Sequence, residues 1–187
     1  MISKGRLVLC YSLLTFLFMA GVMPVAARNG GQAGFCEQMK PCQLLAKSDA
    51  ERMLGQSARL THDTSELKGD VRQCLCAYTG VTTDNASGQT SVLFFALEQK
   101  AANPSGEQAR QVIVSTKEAN AHDTSIWDLK GVGDEAFLLS NDDSNSHFLM
   151  ARKGAIIMRL QIKRAAGTGS LAELKAFAEK VSKHLGW

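Results

Sequence analysis

Proline is scarce, with 3 in 187 residues, and glycine, at 16, is an ordinary complement. Neither a collagen-like rod nor a disordered tail fits that profile. Charge of one sign is lacking too. The chain carries 21 Lys and Arg against 18 Asp and Glu, for +3, and Lys4 and Arg6 belong to the first 27 residues, so 19 bases against 18 acids remain beyond them. Binding to nucleic acid demands a strong basic excess, and no nucleic-acid partner is expected.

Catalytic and metal-ligand spacings are missing as well. His62, His122, His147 and His184 are scattered, without a His-x-x-x-His or His-Glu-x-x-His pair. There is no Gly-x-Ser-x-Gly elbow and no Cys-x-x-Cys. The adjacent acids Asp134 with Glu135, and Asp142 with Asp143, point apart in extended chain and make no acid and base couple. No catalytic residue, metal or cofactor is assigned. An enzyme whose site is assembled from distant residues stays open as the alternative.

What is present, 45% hydrophobic and 21% charged residues, describes one globular domain that buries about 70% of its unfolded surface. Met1 to Ala27 reads as a secretory signal peptide: Lys4 and Arg6 start it, Leu7 to Met23 form the apolar core, and Pro24-Val25-Ala26-Ala27 supply the small-residue end. Cleavage after Ala27 leaves no transmembrane segment, and Cys10 and Cys36, which follow Leu9 and Phe35, lack the small residue a lipoprotein signal wants. Residues 28–41 read as a flexible N-terminal segment and 42–187 as the domain.

Export changes how cysteine is read. Cys10 leaves with the leader, and the remaining Cys36, Cys42, Cys74 and Cys76 are an even set for an oxidising compartment, so disulfides are expected. The spacings Cys-x5-Cys and Cys-x-Cys are not those of zinc knuckles. Cys74 and Cys76 share one side of a strand at about 6.6 Å between Cα atoms, which disfavours bridging them to each other. Two cross-linked pairings remain, of which Cys42 with Cys76 and Cys36 with Cys74 is favoured, tying the segment before the first helix to the strand in two adjacent rungs.

Along the chain, Ser48-Asp49-Ala50-Glu51 predicts a capped short helix ending at Gly55. Ala58 to Glu66 predicts an edge strand, Lys68-Gly69-Asp70 a turn and Val71 to Thr79 the cysteine strand. After the loop Thr82 to Gln89, Val92 to Leu97 is apolar on both faces and predicts a central strand. Asn85-Ala86-Ser87 matches a glycosylation pattern that short sequences reach by chance. Asn103-Pro104, with Ala109, Val112, Ile113 and Thr116 in one stripe, predicts a helix over 104–119, against which the β-branched run Val112-Ile113-Val114 argues for a strand. Ala121 to Lys130 reads as irregular, pinned to the core by Trp127 and Leu129.

Gly131-Val132-Gly133-Asp134-Glu135 runs into acids rather than a helix N-terminus, so it reads as a turn of unusual backbone angles, not a phosphate cradle. A meander of Ala136 to Leu139, His147 to Arg152 and Ala155 to Arg164 follows. In its last strand Ile156, Met158, Leu160 and Ile162 alternate with Arg159, Gln161 and Lys163, one dry face and one wet. The tip Asn141 to Asn145 lacks the glycine and glutamate of a calcium loop. Ser170-Leu171-Ala172-Glu173 predicts a capping box for a last helix with Leu174, Phe177, Val181 and Leu185 as its apolar stripe. The fold class is α+β: a single antiparallel sheet with helices packed against it, in the order α-βββ-α-βββ-α.

Pro41-Cys42-Gln43-Leu44-Leu45, Asp49-Ala50-Glu51 with Leu54-Gly55, Cys76-Ala77-Tyr78 and Gly131 to Phe137, with the final helix, together resemble uncharacterised secreted bacterial proteins and lipoproteins. The likeness spans nearly the whole mature chain. It implies a Mog1/PsbP-like α+β sandwich and a bond between Cys42 and Cys76, with Cys36 to Cys74 an addition to the usual pattern. It carries no catalytic residues. The function expected is that of a periplasmic or secreted, non-catalytic binding or accessory module, its partner an envelope protein or an anionic envelope component. Arg152, Arg159 and Lys163 on the wet face are the candidate anion-binding patch.

Overall fold

A computed structural model describes residues 34–83, 90–122, 125–141, 145–164 and 171–187. The leader, Asn85-Ala86-Ser87, Asp142-Asp143 and the Ser170 cap lie outside the described residues. Three helices, α1 (Gly34–Met39), α2 (Pro41–Leu44) and α3 (Lys47–Leu54), precede strands β1 (Ala58–Lys68), β2 (Val71–Thr83) and β3 (Thr90–Lys100). Helix α4 (Gly106–Asn120) leads to β4 (Ser125–Leu129), β5 (Glu135–Asn141), β6 (Ser146–Lys153) and β7 (Ile156–Lys163), and α5 (Leu171–His184) closes the chain. The strands form one antiparallel sheet in the order β1-β2-β3-β7-β6-β5-β4. β1 is its edge and β3 is central, as their patterns predict.

The order departs from the sequence pattern at β4. Ser125–Leu129 is a strand that pairs Trp127 with Leu138, where an irregular segment is expected. Leu129 packs against the core, but Trp127 is 43% exposed and pins nothing. Five residues at a sheet edge need no alternation of burial to pair, so the strand leaves no periodic trace.

Helix starts shift for local reasons. α3 begins one residue ahead of Ser48, its N-cap Ala46 has no side-chain cap bond, and Glu51 Oε1 accepts from the backbone N–H of Ala58 at 3.2 Å. Its end is as expected, with Gly55 at φ 69°. α4 is a helix despite its β-branched run, and it starts at Ser105, whose Oγ accepts from the Gln108 N–H at 3.2 Å. A serine side chain that bonds the N3 donor outcompetes Asn103 two residues earlier.

Both faces of the sheet are packed, which corrects the reading of one wholly wet face. Leu93, Phe95, Leu97, Leu149, Met158 and Leu160 meet α3 and α5 on one side, where Phe95 and Phe177 stack edge to face at 5.3 Å. On the other, Ala109 and Ile113 of α4 cover Phe137, Leu139, Met150 and Ile157. That helix reaches only the β5-β6-β7 half. Over β2 and β3 the second face stays open, and Phe94 there is 36% exposed.

Two disulfides fasten the N-terminal helices to β2. Cys36 of α1 bonds Cys74 and Cys42 of α2 bonds Cys76, with Cα separations of 5.4 and 5.1 Å. α1 falls in the segment 28–41 set ahead of the domain. Cys74 and Cys76 are fully buried beside Leu97 and Phe95, so the bridges end in the core.

The glycine stretch Gly131 to Asp134 is a turn of left-handed backbone, with φ of 79° at Gly131 and 65° at Gly133. A Cβ at Gly133 would stand 2.3 Å from the Arg152 carbonyl oxygen. The approach lets the Asp134 N–H donate to that oxygen at 2.8 Å, while Asp134 Oδ2 accepts from the Gly154 N–H at 2.8 Å. Asp134 thus clamps the β6-β7 turn.

Two outcomes are expected. Replacing Cys42 and Cys76 together by alanine, with the Cys36–Cys74 bridge intact, opens only the small ring that runs through residues 36–42 and 74–76 and costs about 3 kcal/mol in urea unfolding; an unchanged midpoint contradicts it. The Gly154 N–H, then Lys153, hold the Asp134 carboxyl below its usual range. Folding lowers this pKa, so its stabilisation is present above the ordinary value near ~4 and is lost as pH falls through the folded one. Asp134→Asn should therefore lose less stability than the parent between neutral and acid pH, and parallel curves would refute the clamp.

Candidate functional site

The wet-face residues rise from the period-2 alternation of β7, which sends Ile157, Arg159, Gln161 and Lys163 to the face that α4 half covers. Arg159 does not stand alone. Its Nε donates to Glu98 Oε2 at 2.7 Å, Gln73 Nε2 donates to Glu98 Oε1 at 2.7 Å, and Lys68 Nζ donates to Gln73 Oε1 at 2.9 Å. A polar belt therefore crosses β1, β2, β3 and β7. Glu98 is only 8% exposed, and with both oxygens engaged its charge is compensated, as a buried carboxylate requires.

The other patch residues are placed differently. Arg152 bonds Glu135 at 3.2 Å and Asp134 at 3.5 Å. Its strand register sets it opposite Ile157, whereas Arg159 lies opposite Met150. Lys163 is at the end of β7, opposite Ser146 and Val92 and about 13 Å along the strand from Arg159. The three cations share a face, and two of them have carboxylate partners.

Arg159 and Glu98 also line a cleft of about 430 Å³ between α4 and the open half of the sheet. Val71 and Ile157 add apolar surface from the strands. Gln108, Val112 and Ser115, at i, i+4 and i+7 on α4, form the facing wall. A second ion pair, Lys100 with Asp70 at 3.1 Å, also borders it. The cleft exists because α4 seats through Ala109 and Ile113 on the β5-β7 side, leaving Gln108, Val112 and Ser115 at the margin of the uncovered strands. The size is within the usual range for small-molecule sites.

Other features organise less chemistry. A groove of about 600 Å³ beside Leu44 and Val181 lies between α2 and α5, and one of about 250 Å³ adjoins the cystines. Ser140 Oγ and His147 Nδ1 are 2.8 Å apart, but they are directly opposed residues of β5 and β6 and the serine is 4% exposed. Neither lines the α4 cleft, and the pair serves as a cross-strand tie. Among the described residues no group of His, Cys, Asp and Glu is placed to hold a metal.

Glu98, Gln73 and Gln108 are the site residues that sequence pattern did not single out. Glu98 had one visible signal, a charge closing the apolar run Val92 to Leu97. Its partner Arg159 is 61 residues away, and no local period connects them. Comparison of the chain with models of protein families, with curated proteins and with solved structures found no match.

Glu98→Ala is expected to cost about 1–3 kcal/mol by stranding the Gln73 and Arg159 donors. A double-mutant cycle with Arg159→Ala should return a coupling of about 0.5–3 kcal/mol. Additive single costs in urea unfolding would show that the belt is not an energetic unit.

Proposed function

We propose that this chain is an exported, disulfide-stapled, non-catalytic binding or accessory module of the bacterial envelope, and that the α4 cleft is its binding surface. The observation that carries the reading is the pair of cystines ending on adjacent inward positions of β2. Such bonds persist in oxidising compartments and fit a non-cytoplasmic location. Among the described residues no helix is long and apolar enough to cross a membrane. The Mog1/PsbP-like kinship inferred from the cysteine, glycine and helix motifs belongs to the same proposal, as do the leader and a periplasmic or secreted destination.

Binding rather than turnover is favoured by how the cleft's charges are spent. Each acid faces a base, Glu98 with Arg159 and Asp70 with Lys100, and mutual neutralisation suits recognition better than acid and base chemistry. An anionic envelope component at Arg152, Arg159 and Lys163 would have to compete with Asp134, Glu135 and Glu98 for two of the three cations. An envelope protein that inserts a small group into the cleft meets no such competition.

Native mass spectrometry of the protein exported from its own cell tests the proposal. The expected species begins at Arg28, carries two cystines and holds a non-covalent ligand that returns unaltered on incubation. An uncleaved chain with four free thiols overturns the export reading, and chemical conversion of the ligand overturns the non-catalytic one.

A further inference from the structure

The cleft under α4 carries a second piece of information, in the amide of Gln108. Its Oε1 is buried and has no hydrogen-bond partner among the described residues, although the residue lines an open cleft. Buried acceptors are satisfied in the great majority of cases, and a leucine of similar size would remove the liability. A polar group kept at a local cost, on the wall of a cavity, is the signature of a contact made only when the cavity is filled. Gln108 is only partly buried, and a change of its inner side-chain rotamer lets an incoming donor draw the whole amide into the cleft, whereas a turn about the last bond alone would exchange the orphaned acceptor for an orphaned donor.

Three further properties narrow what fills it. The lining mixes Val71, Ala109, Val112 and Ile157 with the paired charges Glu98-Arg159 and Asp70-Lys100. An ion of either sign would meet one attractive and one repulsive member of each pair, so net charge gains little. Arg159 commits its Nε to Glu98, and its terminal NH2 groups are the donors suited to a ligand carbonyl.

We propose that the cleft binds a small, net-neutral, amide-bearing apolar molecule of the size of a capped apolar dipeptide, whose N–H is accepted by Gln108 and whose carbonyl is held by Arg159. The inference rests on the reading of the cleft as the binding surface. An amide supplies both a donor and an acceptor, so it matches Gln108 in either orientation of that side chain. A fatty acid supplies only acceptors and brings its charge beside Glu98 and Asp70. A sugar has no apolar body to set against Val112 and Ile157.

The test uses the full mature protein and two probes, N-acetyl-leucyl-leucine amide and decanoate, titrated against its amide NMR spectrum. Saturable shifts at Gln108, Val112, Ile157 and Arg159 are expected with the capped dipeptide, and weaker binding with decanoate. Gln108→Leu should weaken the dipeptide at least tenfold while raising the melting temperature of the ligand-free protein by about 2–4 °C, as loss of an unsatisfied acceptor would. Ser115→Trp, on the exposed side of the wall, should block the cleft without unfolding the protein. If decanoate binds more tightly and Ser115→Trp blocks it, the ligand class is wrong and the binding surface is right. If Gln108→Leu leaves dipeptide affinity unchanged or lowers the melting temperature, the role of this amide is overturned. If neither probe shifts a cleft residue, the inference and the reading beneath it both fail.

Discussion

Two covalent rungs on one strand set the rest of the molecule in place. Cys74 and Cys76 share the inward face of β2, and their bridges reach back to Cys36 and Cys42. α1 and α2 are six and four residues long, too short to hold a helical form in water by their own hydrogen bonds. Covalent attachment to a buried strand supplies what length does not. With those helices anchored, Leu44 and Leu45 are held against the core, α3 is delivered onto the same face and α5 docks beside it. Lys180 of α5 then reaches Asp49 of α3 at 2.6 Å.

The opposite face is held by a different kind of constraint. α4 has no cystine and seats through a small apolar set, Ala109 and Ile113 with Val112 beside them. It covers half the sheet, and the uncovered half must manage strand surface that would otherwise be apolar and open. The chain does so with the belt from Lys68 through Gln73 and Glu98 to Arg159. Each member satisfies the next, so polar groups can occupy a partly buried sheet face without orphaned charge.

Periodicity made much of this readable. The edge position of β1, the central position of β3, the turn at Lys68-Gly69-Asp70 and the stripe of α5 all follow from alternation, capping and glycine placement, because each is decided by neighbours in sequence. The cystines were legible as adjacent rungs, since parity placed Cys74 and Cys76 on one face and the favoured pairing is the one found, but the short helices α1 and α2 that carry their partners left no periodic signal. What stayed hidden is non-local or featureless. β4 is an edge strand whose Trp127 is exposed, so no burial rhythm marks it. The cover given by α4 depends on the crossing of β3 to β7, which brings together strands separated by a helix and three other strands. The cleft inherits that invisibility, since its walls come from β2, β3, α4 and β7.

The same crossing explains why the cleft is where it is. β3 and β7 are the central pair, and their junction is also where the apolar cover of α4 ends and the polar belt begins. Ile157 and Arg159, two residues apart on β7, divide the two roles at that boundary: one is packed under α4 and the other is tied across the junction to Glu98 of β3. A surface at such a boundary offers apolar contact and directed hydrogen bonds within one residue spacing. That combination arises from seating one helix over half of a wide sheet. It places adaptable chemistry on a scaffold whose rigidity comes from the cystine-bound face behind it.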